Sequence, residues 1–227
     1  ISAVFGNVVV AESEEKVKNV FNIMQFVFCM MGVFLCSCMI IMFMPFVRLY
    51  TNGITDVNYI YPILAFLIVV NTMSFSLFIP YYLMANVYGF FKETYLQALI
   101  CAALSIAFSY IFGMMYMPLV LIGLIFYYLS SFIYRLLLIN SKISWFSFEK
   151  IPRRIAMLVL FPFATYIMGE KLTVSVVSWM DWFIVAFLIA VAVIMFMFMY
   201  VSLFERKEFA TCMEYGKELF KKQKRSV

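Results

Sequence analysis

Asn71, Ser74 and Arg135, each set within or at the end of a long apolar stretch, are the residues of this chain best placed to do chemistry. A polar or charged group at such a position sits where water is scarce, so it must find a partner in the protein or bind something. Asn71, Thr72, Ser74 and Ser76 cluster near the middle of one apolar run, ahead of Pro80. On a helix Asn71 and Ser74 share a face. They read either as the polar wall of a translocation cavity or as hydrogen-bonding groups between packed helices. Arg135 lies three residues before the end of a later run. Its long side chain can snorkel to phosphate headgroups, or its planar guanidinium can offer two donors to a phosphate-bearing ligand. Ser105 and Ser109, at i and i+4 beside Ala102 and Ala103, read as positions of close helix packing.

Other chemistries are excluded or unsupported. The chain has no histidine, so histidine-ligated metals and Cys-His nucleophiles are ruled out. Of its five cysteines, Cys36 and Cys38 lie in an apolar run without further ligands at metal-site spacing. No nucleophile elbow, phosphate-cradling glycine loop or pair of intramembrane carboxylates is present. Asp56, Glu170 and Asp181 all fall in or near the loops on one side. The sequence therefore leads us to expect no catalytic residue, no metal and no cofactor, and an enzyme is the weaker class.

The elements that position these residues follow from composition. Of 227 residues, 66% are hydrophobic and only 13% charged, against about 25% charged in soluble domains, and the mean hydropathy is +1.00. Such a chain cannot cover a water-exposed surface, so it reads as an all-α, polytopic membrane protein. About 20 apolar residues are needed per crossing, and polar breaks leave six spans near 20–47, 59–85, 94–112, 119–138, 155–168 and 182–204. The fifth is short and contains Pro162. With six spans, 15 of the 17 Lys and Arg residues fall on one side and only Arg48 and Lys171 on the other. The positive-inside rule then places both ends and the 141–154 loop in the cytoplasm. Trp145, Phe146 and Phe148 beside basic residues suit a loop at the headgroup boundary. The organisation expected is the end of a preceding helix plus a cytoplasmic link (1–19), a six-span bundle (20–204) and an amphipathic basic tail (205–227). The charge run of the tail, Lys221 to Arg225, suits anionic lipid rather than nucleic acid.

Several stretches resemble, in order and spacing, the C-terminal portion of bacterial polysaccharide flippases of the multidrug/oligosaccharidyl-lipid/polysaccharide exporter superfamily. They are the Gly6-Asn7 step in SAVFGNVVVAESEEKVKNVF, the helix exit MFMPFVRLYTNG (42–53), the loop YLMANVYGFFKETYLQA (82–98) and the tail FERKEFATCMEYGKELFKK (204–222). The resemblance implies a two-lobed carrier in the cytoplasmic membrane whose last six helices are these spans, with an N-terminal lobe as partner. It also implies a polyprenyl-pyrophosphate-linked oligosaccharide as substrate, moved between leaflets by alternating access. On that reading Asn71, Ser74 and Arg135 are the substrate-binding residues, with membrane lipid around them. A cation-coupled drug exporter of the same fold, a membrane-embedded glycan-processing enzyme and a structural membrane subunit are the alternatives.

Overall fold

In lipid every backbone N–H and C=O must be satisfied within its own segment, which a helix does and an isolated strand cannot. The computed structural model follows that requirement and describes residues 2–54, 56, 59–169, 176–206 and 208–214. Its elements are α1 (Ser2–Ala11), α2 (Glu14–Tyr50), α3 (Pro62–Val87), α4 (Phe91–Met115), α5 (Leu121–Lys142, entered through a 3-10 turn at Met117–Val120), α6 (Ile151–Gly169) and α7 (Trp179–Phe204). No strand occurs among the described residues. Six helices, α2 to α7, are long and apolar enough to cross a membrane. The protein is a multi-pass, all-α membrane protein.

The helix starts differ from the spans because apolar length marks hydrocarbon, not helix. α2 begins at Glu14 instead of Val20: Ser13 takes the extended N-cap conformation, and Glu14 and Glu15 occupy the first turn, where the helix dipole favours negative charge. The 1–19 link therefore contracts to the break between α1 and α2. α6 begins at Ile151 and runs 19 residues, about 28 Å at 1.5 Å per residue, so the short fifth span is a full-length helix with Pro162 inside it. Arg153 and Arg154 thereby move from the loop into the helix.

Packing follows a chain of neighbours, with α2 against α3, α6 and α7, α3 against α5, and α5 against α4. Small residues set the closest approaches. A Cβ on Gly32 of α2 would come within 2.5 Å of the Ser76 hydroxyl of α3, and one on Gly123 of α5 would strike the Ser105 carbonyl and Ser109 of α4. Ser109 also donates to the Val120 carbonyl at 2.9 Å. At the end of the bundle where α2 starts, Phe5, Phe21, Tyr81, Phe132 and Ile139 form a core. Trp145 and Phe146 pack under it, with ring centroids 6.3 Å from Phe21 in both cases. The 143–150 loop is thus partly an internal plug, where its aromatics were expected at the headgroup boundary. Broad apolar faces of α4 and α7 remain exposed, as with Ile106, Tyr110, Phe187 and Met195. Such faces need an apolar cover, either lipid or another protein surface.

Beyond α7, residues 208–214 are helical. The Lys150–Glu208 ion pair (2.6 Å) and an edge contact between Phe198 and Phe209 hold this segment to the loop before α6 and to α7, while Arg153 of α6 pairs with Glu205 at the end of α7. The rest of the basic tail, 215–227, lies outside the described residues.

Candidate functional site

The polar cluster of α3 is built from hydroxyls that serve their own helix. Thr72 donates to the Ile68 carbonyl, Ser74 to Val70 and Ser76 to Thr72, all at 2.8–2.9 Å. Among the described residues, each of these three donated bonds stays within α3. Ser74 is buried at 2% exposure and Asn71 is half-buried. The Asn71 Oδ1 is sealed from solvent without a donor among the described residues, and so is the Ser37 hydroxyl of α2. The antiparallel register of α2 on α3, marked by Gly32 against Ser76 and by the Cys36 thiol on the Val69 carbonyl (3.7 Å), brings Ser37 and Asn71 to similar depth.

About two to three turns beyond Asn71 along α3, arginines of two other helices stand close to it. Arg135 of α5, read from the sequence as snorkelling or as a phosphate contact, is only 3% exposed and is covered by protein. Its guanidinium carbon lies 5.0 Å from the centroid of Phe78 and 5.5 Å from that of Tyr82, one turn apart on α3. Desolvated cation–π contacts of this kind contribute about 2 kcal/mol. Arg135 Nη1 donates to Gln97 Oε1 of α4 and to the Ser131 carbonyl, both at 3.3 Å, and Nε has no acceptor. No carboxylate pairs with it among the described residues. Gln97 is itself held by donating to Ser131 Oγ at 3.1 Å and to the Cys101 thiol at 3.0 Å.

Arg154 of α6, 5% exposed, donates to Gln25 Oε1 of α2 and, at 3.2 Å, to the Asn22 carbonyl. Arg154, expected as the last residue of the 141–154 loop, is instead a buried residue of α6. Close by, Glu205 is buried at 1% exposure and accepts from Arg153, whose other terminal nitrogen donates to the Phe204 carbonyl at 3.2 Å. Burial holds the Glu205 carboxyl above the usual carboxylate range even though Arg154 and Arg153 pull it down. Glu208 is shifted the other way: burial raises it, but the Lys150 hydrogen bond and charge more than offset this.

The arrangement can hold anions and polar headgroups in a half-dry environment. Among the described residues, no group of three or more His, Cys, Asp or Glu is placed to hold a metal ion. Asn71, Ser74 and Arg135 are not one site. Arg135 belongs to the α3–α4–α5 seam and Asn71 lies deeper along α3. Gln25, Gln97, Arg154 and Glu205 were missed by sequence reasoning. The available signal was the amides: Asn22 and Gln25 in the first apolar run and Gln97 in the third are strongly polar side chains set among apolar ones. No family model matches the sequence, and no curated protein or solved structure matches it.

Proposed function

We propose that the chain forms the C-terminal six-span lobe of a carrier that moves a polyprenyl-pyrophosphate-linked oligosaccharide across the cytoplasmic membrane, with Arg135 receiving the phosphates. The observation that carries this reading is a buried cation, 3% exposed, with no carboxylate paired to it among the described residues. A charge taken out of water costs several kcal/mol unless it is paired, and among the described residues Arg135 is bonded to neutral acceptors and set against ring faces. The Gln97 oxygen at 3.3 Å is a weak stand-in, because charge-assisted bonds to phosphate close to about 2.7–2.9 Å. A phosphate oxygen replacing it gains both shorter bonds and the unused Nε–H. Asn71, with its unpartnered oxygen, supplies a polar group deeper in the same helix layer, where a sugar hydroxyl can donate. The resemblance over nearly the whole chain supports the substrate class, and no covalent step is required of the protein.

The test is export of surface glycan by the complete carrier in a strain lacking its own flippase. Arg135→Lys keeps the charge but loses the planar pair of donors. Strong loss of export at normal membrane abundance supports the phosphate contact. Unaltered export in both Arg135→Lys and Arg135→Gln overturns it.

A further inference from the structure

On α3, Asn71, Phe75, Tyr82 and Asn86 follow one another at spacings of four, seven and four residues, so they share one face of the helix. Phe75 and Tyr82 are exposed on it. Rings of α5 widen the stripe. Tyr128 meets Phe75 edge-on with centroids 5.3 Å apart, and the buried Phe78 joins Tyr82, Tyr128 and Tyr127 at 5.3, 5.5 and 6.2 Å. From Phe75 to Tyr82 the stripe runs about 10 Å at 1.5 Å per residue, and it ends on Arg135, whose guanidinium carbon stands over the Tyr82 ring.

Hydrocarbon does not select such a surface. Tyrosine belongs at the membrane interface, where its hydroxyl meets water. The exposed α4 face obeys that rule, because Tyr95 and Tyr110 lie toward the ends of the helix. Tyr127 and Tyr128 instead lie near the middle of the 117–142 span, beside Phe75 at the middle of α3. Among the described residues the hydroxyls of Tyr82, Tyr127 and Tyr128 have no hydrogen-bond partner, and those of Tyr127 and Tyr128 are not sealed in the interior. Tyr134, by contrast, donates to the Glu93 carbonyl at 2.8 Å. A hydroxyl in hydrocarbon without an acceptor is costly, so these phenols suit a polar neighbour that also has an apolar side. Carbohydrate has both. A pyranose lays a patch of C–H groups on the negative face of an aromatic ring, while its rim of hydroxyls reaches phenols and amides.

We propose that the stripe of Phe75, Tyr82, Tyr127 and Tyr128 is the sugar-binding wall of the carrier, taking neutral hexopyranose residues by stacking. With the pyrophosphate at Arg135, the sugars extend from it past Tyr82 toward Phe75 and Asn71. This assignment rests on the transport reading and concerns the part of the substrate that Arg135 does not recognise. The chain joined to its N-terminal lobe is reconstituted in liposomes, and exchange between leaflets is followed for two polyprenyl pyrophosphates with a fluorophore on the prenyl chain, one bearing a neutral hexose oligosaccharide and one without sugar. Phe75→Leu and Tyr128→Leu should each slow the sugar-bearing lipid about tenfold more than the sugar-free one. Arg135→Gln should slow both alike. Equal slowing of the two lipids by the Leu variants overturns the sugar wall and leaves the transport reading standing, whereas no exchange of either lipid by the unmodified protein overturns both. A second measurement needs no variant. In the unmodified protein a photoreactive diazirine on the sugar should label residues within 71–82 and 127–128, and one on the acyl chain of bulk phospholipid should not. Labelling of the stripe by the phospholipid probe in place of the sugar probe means that it faces lipid, and overturns the proposal.

Discussion

Arg135 and Arg154 solve one problem with the same chemistry: each places its guanidinium against the amide oxygen of a glutamine on a neighbouring helix. The consequence is testable away from any substrate. Gln97→Leu leaves Arg135 Nη1 with the Ser131 carbonyl alone and removes the amide that donates to Ser131 and Cys101. Leaving a buried donor unsatisfied costs about 1–3 kcal/mol, so the thermal midpoint of the purified chain should fall by several degrees. An unchanged midpoint would mean that the amide is dispensable to the seam. Arg135 stands out in the sequence because a charge near an apolar run is rare. Its partners did not stand out, because spacing along one helix identifies neighbours on that helix and says nothing of which other helix supplies Gln97. Glu205 was read as the first residue of an amphipathic basic tail because it follows the apolar run, and only packing against α6 reveals its burial.

At the scale of elements, the number of long helices and their apolar middles were legible from span length, whereas their ends were not. Charged residues such as Glu14 and Arg153 extend helices past the apolar run, and hydropathy cannot register that. The close α4–α5 approach was half legible, since Ser105 and Ser109 signalled small-residue packing but Gly123 as their counterpart did not. Gly123→Val forces a side chain into the Ser105 carbonyl, so overpacking of about 1–3 kcal/mol is expected, read as a lower unfolding midpoint and lower abundance. Orientation is a separate prediction. From charge asymmetry the 141–154 loop is expected in the cytoplasm and the α2–α3 connection outside. In a cysteine-free background, an impermeant thiol reagent applied to intact cells should label Asn52→Cys and spare Ser147→Cys, both exposed positions. The reverse pattern would invert the topology.

At the scale of the molecule, α2 is the hub, with α3, α6 and α7 on it and α5 and α4 reached through α3. α4 is the least covered helix, with 11% of its most apolar window buried. An exposed apolar face suits lipid or a second lobe equally, so hydropathy alone does not distinguish the two. The flippase reading distinguishes them by function: six spans make one wall of a cavity, and alternating access needs two. This chain by itself should therefore insert without moving substrate, and restoration of surface glycan by it alone in a flippase-deficient strain would contradict the lobe assignment. The most direct measurement reconstitutes the chain, joined to the N-terminal lobe that the resemblance implies, into liposomes carrying a fluorescent polyprenyl-pyrophosphate oligosaccharide, and follows its accessibility to a quencher on one side. The account predicts exchange between leaflets that is lost in Arg135→Gln at unchanged reconstitution. Exchange no faster than in protein-free liposomes, or equal rates with and without Arg135, would contradict it.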